Sequence, residues 1–322
     1  MTVDPALQDM LTSVFSDHDP ASPIGSLWKK LGSLGLARLT TPAGRGGSGA
    51  GWDEAAALLR TAASHGVPVP LPENDLLANW LLTEADLPSD ESIRTACVLD
   101  ETGTARSVPW AGDADRITLL WAAEDGWRTA DVPASSLRIE RAANLAGEPR
   151  DTVHAPLDAT SGTRVGGHVA EEFMLRGALA RALQMTGAMD GILRLSIDHA
   201  TTRTQFGRPL AGFQAVQHLI ADMAAEAALA KAATDAVLRD GLTPFNVAVA
   251  RSCAGHATTT VVRNAHQVHG AIGTTAEHPL HRYTLPALAW RAEFGSLHHW
   301  DEHLSQAALS TDQDIWHLIN DL

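Results

Sequence analysis

The sequence predicts an α+β protein that is mostly α, in which helices, then strands, then helices follow one another along 322 residues. Apolar residues recur at three- and four-residue spacing in the first part of the chain, short strand-like runs occupy the middle, and helical periodicity returns near residue 166. This pattern predicts an N-terminal helical domain at 1–92, a small middle β domain at 93–165 and a C-terminal four-helix bundle at 166–322.

The N-terminal segment predicts several helices joined by loops rich in glycine and proline. Leu7, Leu11, Val14 and Phe15 share the spacing of one helix face. The glycine-rich loop at 44–51 lacks the Gly-Lys-Ser/Thr ending of a phosphate-binding P-loop, and it follows no predicted strand. We therefore interpret this loop as a flexible connection between helices.

The middle and C-terminal segments differ in their sequence patterns. Runs at 94–99, 117–121 and 127–132 have strand character, and turns rich in Asp and Gly separate them. Beyond them, the apolar periodicity predicts long helices at about 166–202, 210–240, 244–269 and 279–309. Four long helices with short connections are typical of an antiparallel bundle.

The composition excludes several classes of partner. The chain carries a formal net charge of −14, whereas nucleic acid and anionic membranes both require concentrated Lys and Arg. Charged residues interrupt the apolar runs before they reach the length that crosses a bilayer, and the N-terminus lacks a basic and then apolar signal. We expect a cytoplasmic protein that binds neither nucleic acid nor membrane.

The cysteines and histidines predict no metal site. Cys97 and Cys253 lie far apart in the sequence, and we interpret both as small buried side chains rather than as zinc ligands or a disulfide. His266 and His269 lie close together on a predicted helix, as do the histidines at 298–303, but no carboxylate completes a convincing ligand set. We expect these histidines to be solvated or to cap helices.

A polar stretch between two predicted helices is the strongest functional signal. From Arg203 to Leu210 it reads Arg-Thr-Gln-Phe-Gly-Arg-Pro-Leu. Arginine offers a planar fork for the oxygens of a diphosphate, and Gln205 and Gln214 supply neutral donors for a ribose or an adenine. The spacing alone leaves two interpretations open: a clamp for a dinucleotide phosphate, or a turn between helices that carries surface charges.

A second stretch favours the clamp. From Asn264 to Arg282 the chain ends a predicted helix in small residues and restarts after Pro279. Together the two stretches resemble the flavin-binding half of the acyl-CoA dehydrogenase family, and the segment from Leu27 to Gly49 is similar to the N-terminal helical domain of that family. In the family, the β domain of one subunit holds the FAD ring, and the bundle of a neighbour holds the diphosphate and adenine.

The resemblance assigns cofactor roles to residues of both stretches. It implies that Arg203 binds the diphosphate, that Gln205 and Phe206 contact the adenosine end, that Gln214 contacts a phosphate or ribose, and that FAD approaches the chain at Gln267, Gly270 and Ala271. Glycine and alanine suit positions 270 and 271 because a larger side chain would keep the cofactor away from the backbone.

The chain departs from the family pattern at two places. It lacks the Thr-Glu-Pro-x-x-Gly-Ser-Asp type segment that wraps the flavin ring, and its β region is much shorter than expected. Aligning the glycines puts Phe294 at the position of the Glu base of the family, and Glu293 lies one residue away. A helix turns by about 100° per residue, so Glu293 points at the same target only if the helix ends nearby. Glu293 is the candidate catalytic base, ranked above Glu171 and Glu172.

These features predict a subunit of a heteromeric, FAD-dependent acyl-CoA dehydrogenase, similar to the short actinobacterial enzymes that act on steroid side-chain thioesters. This chain would clamp the ADP part of FAD, and a second acyl-CoA dehydrogenase-like subunit in an α2β2 assembly would supply the ring pocket and the base. We expect a bulky acyl-CoA substrate, oxidised to the trans-2-enoyl-CoA, and an electron-transfer flavoprotein or similar acceptor. Two alternatives stay open: a self-sufficient homo-oligomer that uses Glu293, and a non-catalytic subunit that stabilises a partner or binds acyl-CoA.

Overall fold

A computed structural model of the chain describes residues 3–18, 24–157 and 160–310. Its elements follow the predicted order of helices, strands and helices. The described residues form two compact units, one of residues 3–18, 24–59, 68–157 and 160–180 and the other of residues 60–67 and 181–310. The division into three domains at 92 and 165 stays a prediction, and its ends at 1–2 and 311–322 lie outside the described residues.

The N-terminal helices are α1 (Pro5–Ser16), α2 (Ile24–Ser33), α3 (Trp52–Ser64) and α4 (Trp80–Glu84). The first helix begins at Pro5 because the Asp4 carboxylate accepts a hydrogen bond from the Ala6 N–H at 2.9 Å, and because proline is favoured in a first helical turn. The buried face of α1 consists of Leu11, Val14 and Phe15, as the apolar spacing predicts.

A fully buried π-helix precedes α4 and spans Pro72–Asn79. The Asp75 carboxylate accepts hydrogen bonds from the backbone N–H and the hydroxyl of both Thr40 and Thr41, at 2.7–3.2 Å. Burial raises the pKa of Asp75, and these four bonds oppose that shift because they favour the charged form. Asp75 therefore ties the Thr40–Thr41 loop to the π-helix.

The strands form two sheets. The larger sheet contains β1 (Arg94–Leu99), β3 (Arg116–Ala123), β4 (Gly126–Pro133) and β7 (Thr163–Val165) in that order, with β1 and β3 parallel and the other pairs antiparallel. The smaller, antiparallel sheet contains β2 (Thr104–Pro109), β6 (Arg150–His154) and β5 (Arg138–Glu140) in that order. Both sheets contribute to one apolar core, in which Ile117, Leu119 and Val153 are fully buried.

The C-terminal helices are α5 (Val169–Thr202), α6 (Gln214–Asp240), α7 (Pro244–His269), α8 (His281–Trp290) and α9 (Leu297–Ser310). A short hairpin of β8 (Thr204–Gln205) and β9 (Arg208–Pro209) joins α5 to α6. Small residues let these elements approach closely: a Cβ added at Gly187 of α5 would lie 2.3 Å from the carbonyl oxygen of Arg60. Within the described part of the chain, no helix has both the length and the apolar character that a membrane span requires.

The prediction of one helix at 279–309 is wrong, because residues 291–296 separate α8 from α9. Phe294 and Gly295 have φ angles of 51° and 93°. An α-helix of L-residues does not accommodate positive φ, so the helix ends before this turn. The turn holds both positions on which the prediction of a catalytic base depends.

Candidate cofactor-binding site

A surface cavity of about 560 Å³ lies where the end of α5, the β8–β9 hairpin and the end of α7 meet. Its lining includes residues from both of the stretches that predict a dinucleotide clamp: Arg203, Gln205, Gln267, Gly270 and Ala271. Cavities that bind small molecules and cofactors typically occupy roughly 300–1,000 Å³. The fold therefore collects these distant residues into one cavity of a size that suits part of a dinucleotide.

The backbone at the hairpin fixes the position of Arg203. Its N–H donates to the His199 carbonyl and its own carbonyl accepts from the Leu210 N–H, both at 2.9 Å. The hairpin turns through Phe206 and Gly207, whose φ angles are 51° and 79°. Among the residues that the structure describes, none accepts a hydrogen bond from the Arg203 guanidinium or forms an ion pair with it, so its donors are available to a ligand.

Phe206 and Gln214 lie outside the lining of this cavity. Phe206 is 92% exposed, and its ring meets the ring of Phe213 edge-on with centroids 6.2 Å apart. Gln214 is also exposed and begins α6. The contacts predicted for these two residues stay predictions, and they require a ligand that extends beyond the cavity.

Gly270 ends α7 in a conformation that favours glycine, with φ 62° and ψ −144°. Its N–H donates to the His266 carbonyl, and a Cβ at this position would have no atom within 4 Å. The backbone conformation, rather than crowding, therefore requires glycine here. At Gly273, by contrast, an added Cβ would lie 2.8 Å from the Cβ of His269, so packing requires glycine at that position.

The donors around the cavity fit the ADP part of FAD. The exposed Arg203 guanidinium matches diphosphate oxygens, and the Gln205 and Gln267 amides both donate and accept hydrogen bonds. The open side of Gly270 leaves room for a ligand to approach the main chain. Because the chain as a whole carries a charge of −14, the attraction for an anion at this cavity has to come from its local arginine.

Two lining residues, His199 and His269, meet a third histidine, His278, which precedes α8. Their ring nitrogens lie within 4.8 Å of one another, and the rings of His199 and His269 stack with centroids 4.6 Å apart. Burial lowers the pKa of all three histidines, that of His269 to about 4. The sequence analysis paired His266 with His269 and did not predict the cluster of His199, His269 and His278.

Glu293 lies in the turn between α8 and α9 and forms an ion pair with Arg181 of α5. The Arg181 Nε donates to the carboxylate at 2.7 Å, and the Arg181 and Glu293 side chains are 2% and 16% exposed. Arg181 also donates to the Gln184 side chain at 2.6 Å. Because the turn is not helical, the expected 100° rotation does not decide where Glu293 points; its bond to Arg181 does.

A second buried arginine, Arg251 of α7, holds this turn together. Its guanidinium donates at 2.9–3.4 Å to the carbonyls of Trp290, Arg291, Glu293 and Gly295. Burial lowers the pKa of Arg251 to about 9, and the neighbouring Arg181 acts in the same direction, whereas Glu293 opposes both. Glu293 is thus a carboxylate that counters two buried positive charges.

Known proteins resemble this chain in both sequence and fold. A family model described as the C-terminal domain of acyl-CoA dehydrogenase matches residues 164–298. Acyl-CoA dehydrogenase IpdE2 of Mycobacterium tuberculosis is 30% identical over 269 residues, which cover 80% of this chain and 79% of that protein. The chain belongs to the acyl-CoA dehydrogenase family. It is therefore of the oxidoreductase type that acts on acyl-CoA.

Solved structures confirm the predicted fold class of this acyl-CoA dehydrogenase. A chain of the ChsE4–ChsE5 complex from Mycobacterium tuberculosis superposes with a TM-score of 0.85 over 97% of this chain and 99% of that chain, at 22% identity. A variant of the Tcur3481–Tcur3483 steroid ACAD superposes with a TM-score of 0.82 over 95% of this chain and 98% of that chain, at 24% identity. Similarity at these identities concerns the fold alone.

Sequence reasoning missed four residues of this acyl-CoA dehydrogenase: two arginines at the α8–α9 turn and two histidines of the cluster with His269. Arg181 and Arg251 lie on predicted helices, and an arginine on an apolar helix face is a signal that a buried partner must exist. No comparable signal identifies His199 and His278, because only the packing of separate elements brings them to His269.

Proposed function

We propose that this chain is a subunit of a heteromeric, FAD-dependent acyl-CoA dehydrogenase and that it clamps the ADP part of the cofactor. One observation carries the proposal: Arg203, Gln205, Gln267, Gly270 and Ala271, from two distant stretches, line a single cavity. Arg203 would bind the diphosphate through its free donors, and the two glutamines would contact the ribose or adenine. When bound, FAD supplies the acceptor for the hydride that leaves the acyl chain.

The turn at Glu293 supports a division of labour between two different subunits. A catalytic base has to remove a proton from the substrate, and a carboxylate that already compensates Arg181 at 2.7 Å is poorly placed for this task. Phe294, at the position of the family base, has no basic group. These features favour a second acyl-CoA dehydrogenase-like subunit that provides the base and the ring pocket.

The choice of substrate and assembly is made by analogy with two proteins that share this fold, a steroid ACAD and the ChsE4–ChsE5 complex. We infer a bulky, steroid side-chain acyl-CoA as the substrate, its trans-2-enoyl-CoA as the product, and an α2β2 assembly as the active form. An electron-transfer flavoprotein or similar acceptor would reoxidise the flavin, and we expect the reaction to take place in the cytoplasm.

The test is co-expression with a candidate partner that carries the ring-binding segment and a Glu-Gly base. We expect one FAD for each pair of different chains, measured as the ratio of flavin absorbance to chain concentration. The Arg203→Ala variant should weaken FAD binding by roughly tenfold or more, the scale expected for the loss of a charge-assisted contact. Arg239→Ala, which removes an exposed arginine paired with Asp240, is the charge-matched control.

Two results would contradict the proposal in different ways. If the chain alone binds stoichiometric FAD and reduces an acceptor with an acyl-CoA, the site is not shared and Glu293 becomes the leading base. If Arg203→Ala retains FAD as tightly as Arg239→Ala in the assembled complex, the chain does not clamp the cofactor and acts as a stabilising or acyl-CoA-binding partner.

A further inference from the structure

The ring of His269 presents an unsatisfied nitrogen. His269 is 5% exposed, and its Nδ1 lies 2.8 Å from the Ala265 carbonyl oxygen. Since a carbonyl only accepts, this bond assigns the proton to Nδ1 and leaves a lone pair on Nε2. In the described structure that Nε2 is buried and makes no well-formed hydrogen bond, although the Leu195 backbone lies near the ring. Burying a polar atom in this way is unfavourable unless a ligand occupies the position.

The other two histidines of the cluster bring further ring nitrogens close to this one, as a metal site requires. We propose that His199, His269 and His278 bind a late first-row divalent metal ion, with Zn²⁺ as the representative, through one ring nitrogen each. The bond from Nδ1 of His269 to the Ala265 carbonyl is the kind of outer contact that fixes the tautomer and the orientation of a metal-binding histidine.

The distances permit such a site after a small adjustment. The three nitrogens lie within 4.8 Å of one another, and tetrahedral zinc with nitrogens at about 2.05 Å requires separations of roughly 3.4 Å. His199 and His278 are half-buried, so their rings have room to move toward the fixed ring of His269. The Leu280 N–H donates to Nδ1 of His278 at 3.2 Å, which leaves the ring proton on Nε2. Binding of the metal through Nε2 moves that proton to Nδ1, so the weak bond from Leu280 is lost and a metal–nitrogen bond forms.

The ligand set consists of three imidazoles. Within the described residues, no carboxylate or thiol joins the cluster, so water or an external anion completes the coordination. The ion is a separate feature from the FAD clamp, although His199 and His269 line the same cavity.

The test uses the full chain, freed of metal by a chelator and then titrated with Zn²⁺ in competition with a chromophoric indicator. We expect one equivalent to bind, and His199→Gln and His278→Gln each to weaken binding by roughly tenfold or more. His298→Gln is the control, because that ring is 89% exposed and belongs to no cluster of ligands in the described chain. Circular dichroism checks that each variant remains folded.

Titration with Co²⁺ gives a second readout that does not depend on affinity alone. Three imidazole ligands in a tetrahedral site produce a visible ligand-field absorption, which both cluster variants should lose and the control should keep. The proposal is overturned if the wild-type chain binds less than one equivalent, or if His298→Gln weakens binding as much as His278→Gln does. Either result leaves the FAD clamp unaffected, since flavin retention is measured separately.

Discussion

Replacing Glu293 by glutamine removes a carboxylate that pairs with Arg181 and opposes the positive charge of the buried Arg251 in the α8–α9 turn. Glutamine keeps the size of the side chain and one oxygen that accepts from the Arg181 Nε. The substitution therefore tests the charge of the carboxylate rather than its shape. We expect a large loss of stability, because Arg181 and Arg251 then lie close together and the negative charge of Glu293 no longer opposes them.

The magnitude follows from the burial of the pair. The Arg181 side chain is 2% exposed and the Glu293 side chain 16%, so solvent screens their 2.7 Å contact only weakly. Breaking a buried pair by removing one partner typically costs about 3–5 kcal/mol. In a structural unit of this size, each kcal/mol lowers Tm by about 2–4 °C, so the expected shift is roughly 6–20 °C.

Thermal and urea unfolding of the free chain measure this loss. Glu302→Gln is the matched control, since that carboxylate is 57% exposed and 3.9 Å from His298, and it should change stability by less than about 0.5 kcal/mol. Adding Arg181→Met to Glu293→Gln should restore much of the stability, because it removes the positive charge that Glu293 opposed. If Glu293→Gln costs no more than the control but abolishes flavin reduction in the complex, the carboxylate acts as a base and our reasoning is refuted.

Three further predictions concern packing, a buried carboxylate and a thiol. Gly187→Ala should destabilise the chain by roughly 1–3 kcal/mol, because the added methyl lies 2.3 Å from the Arg60 carbonyl oxygen. The control Gly32→Ala adds a methyl with no atom within 4 Å and should stabilise α2 by up to about 1 kcal/mol. Equal effects of the two substitutions on Tm would contradict the close packing at Gly187. Asp75→Ala should cost about 3 kcal/mol or more in urea unfolding, because four hydrogen bonds are lost, and a cost below about 1 kcal/mol would mean that they contribute little. Burial raises the pKa of Cys97 to about 12, so iodoacetamide at mildly alkaline pH should modify Cys97 only after unfolding, and labelling of the native chain in peptide mass spectrometry would disagree.

The helices were predictable because their signals are local. Helix α7 begins where Thr243 accepts a hydrogen bond from the Asn246 N–H at 3.2 Å and Pro244 occupies the first turn, and it ends at Gly270 with positive φ. Each of these signals is readable within a few residues of sequence. The residues proposed for the clamp could be named for a related reason: arginine, glutamine and glycine keep the spacing that the family resemblance supplied, and their role in binding FAD stays a prediction.

The break between α8 and α9 was not predictable from local signals. Phe294 has φ 51°, which phenylalanine rarely adopts, and the turn persists because Arg251, distant in sequence, donates to four of its carbonyls. The same limitation applies to the π-helix over Pro72–Asn79, which buries Glu73, Asn74 and Asp75 along with its apolar residues. Tertiary contacts decided both features, and neither leaves a pattern at fixed spacing in the sequence.

Three arginines of the unit formed by residues 60–67 and 181–310 differ in what their guanidinium groups already bind. Arg181 and Arg251 are buried, and their guanidinium groups are engaged by Glu293, Gln184 and backbone carbonyls, so neither can take up a phosphate without breaking internal bonds. Arg203 is exposed and, in the described part of the chain, makes no side-chain hydrogen bond or ion pair. A ligand that binds Arg203 gains its contacts without this loss, so cofactor affinity should depend on Arg203 and stability on Arg181 and Arg251. If substitution of Arg203 lowered stability, and substitution of Arg181 or Arg251 lowered cofactor affinity instead, the clamp would lie elsewhere in this unit.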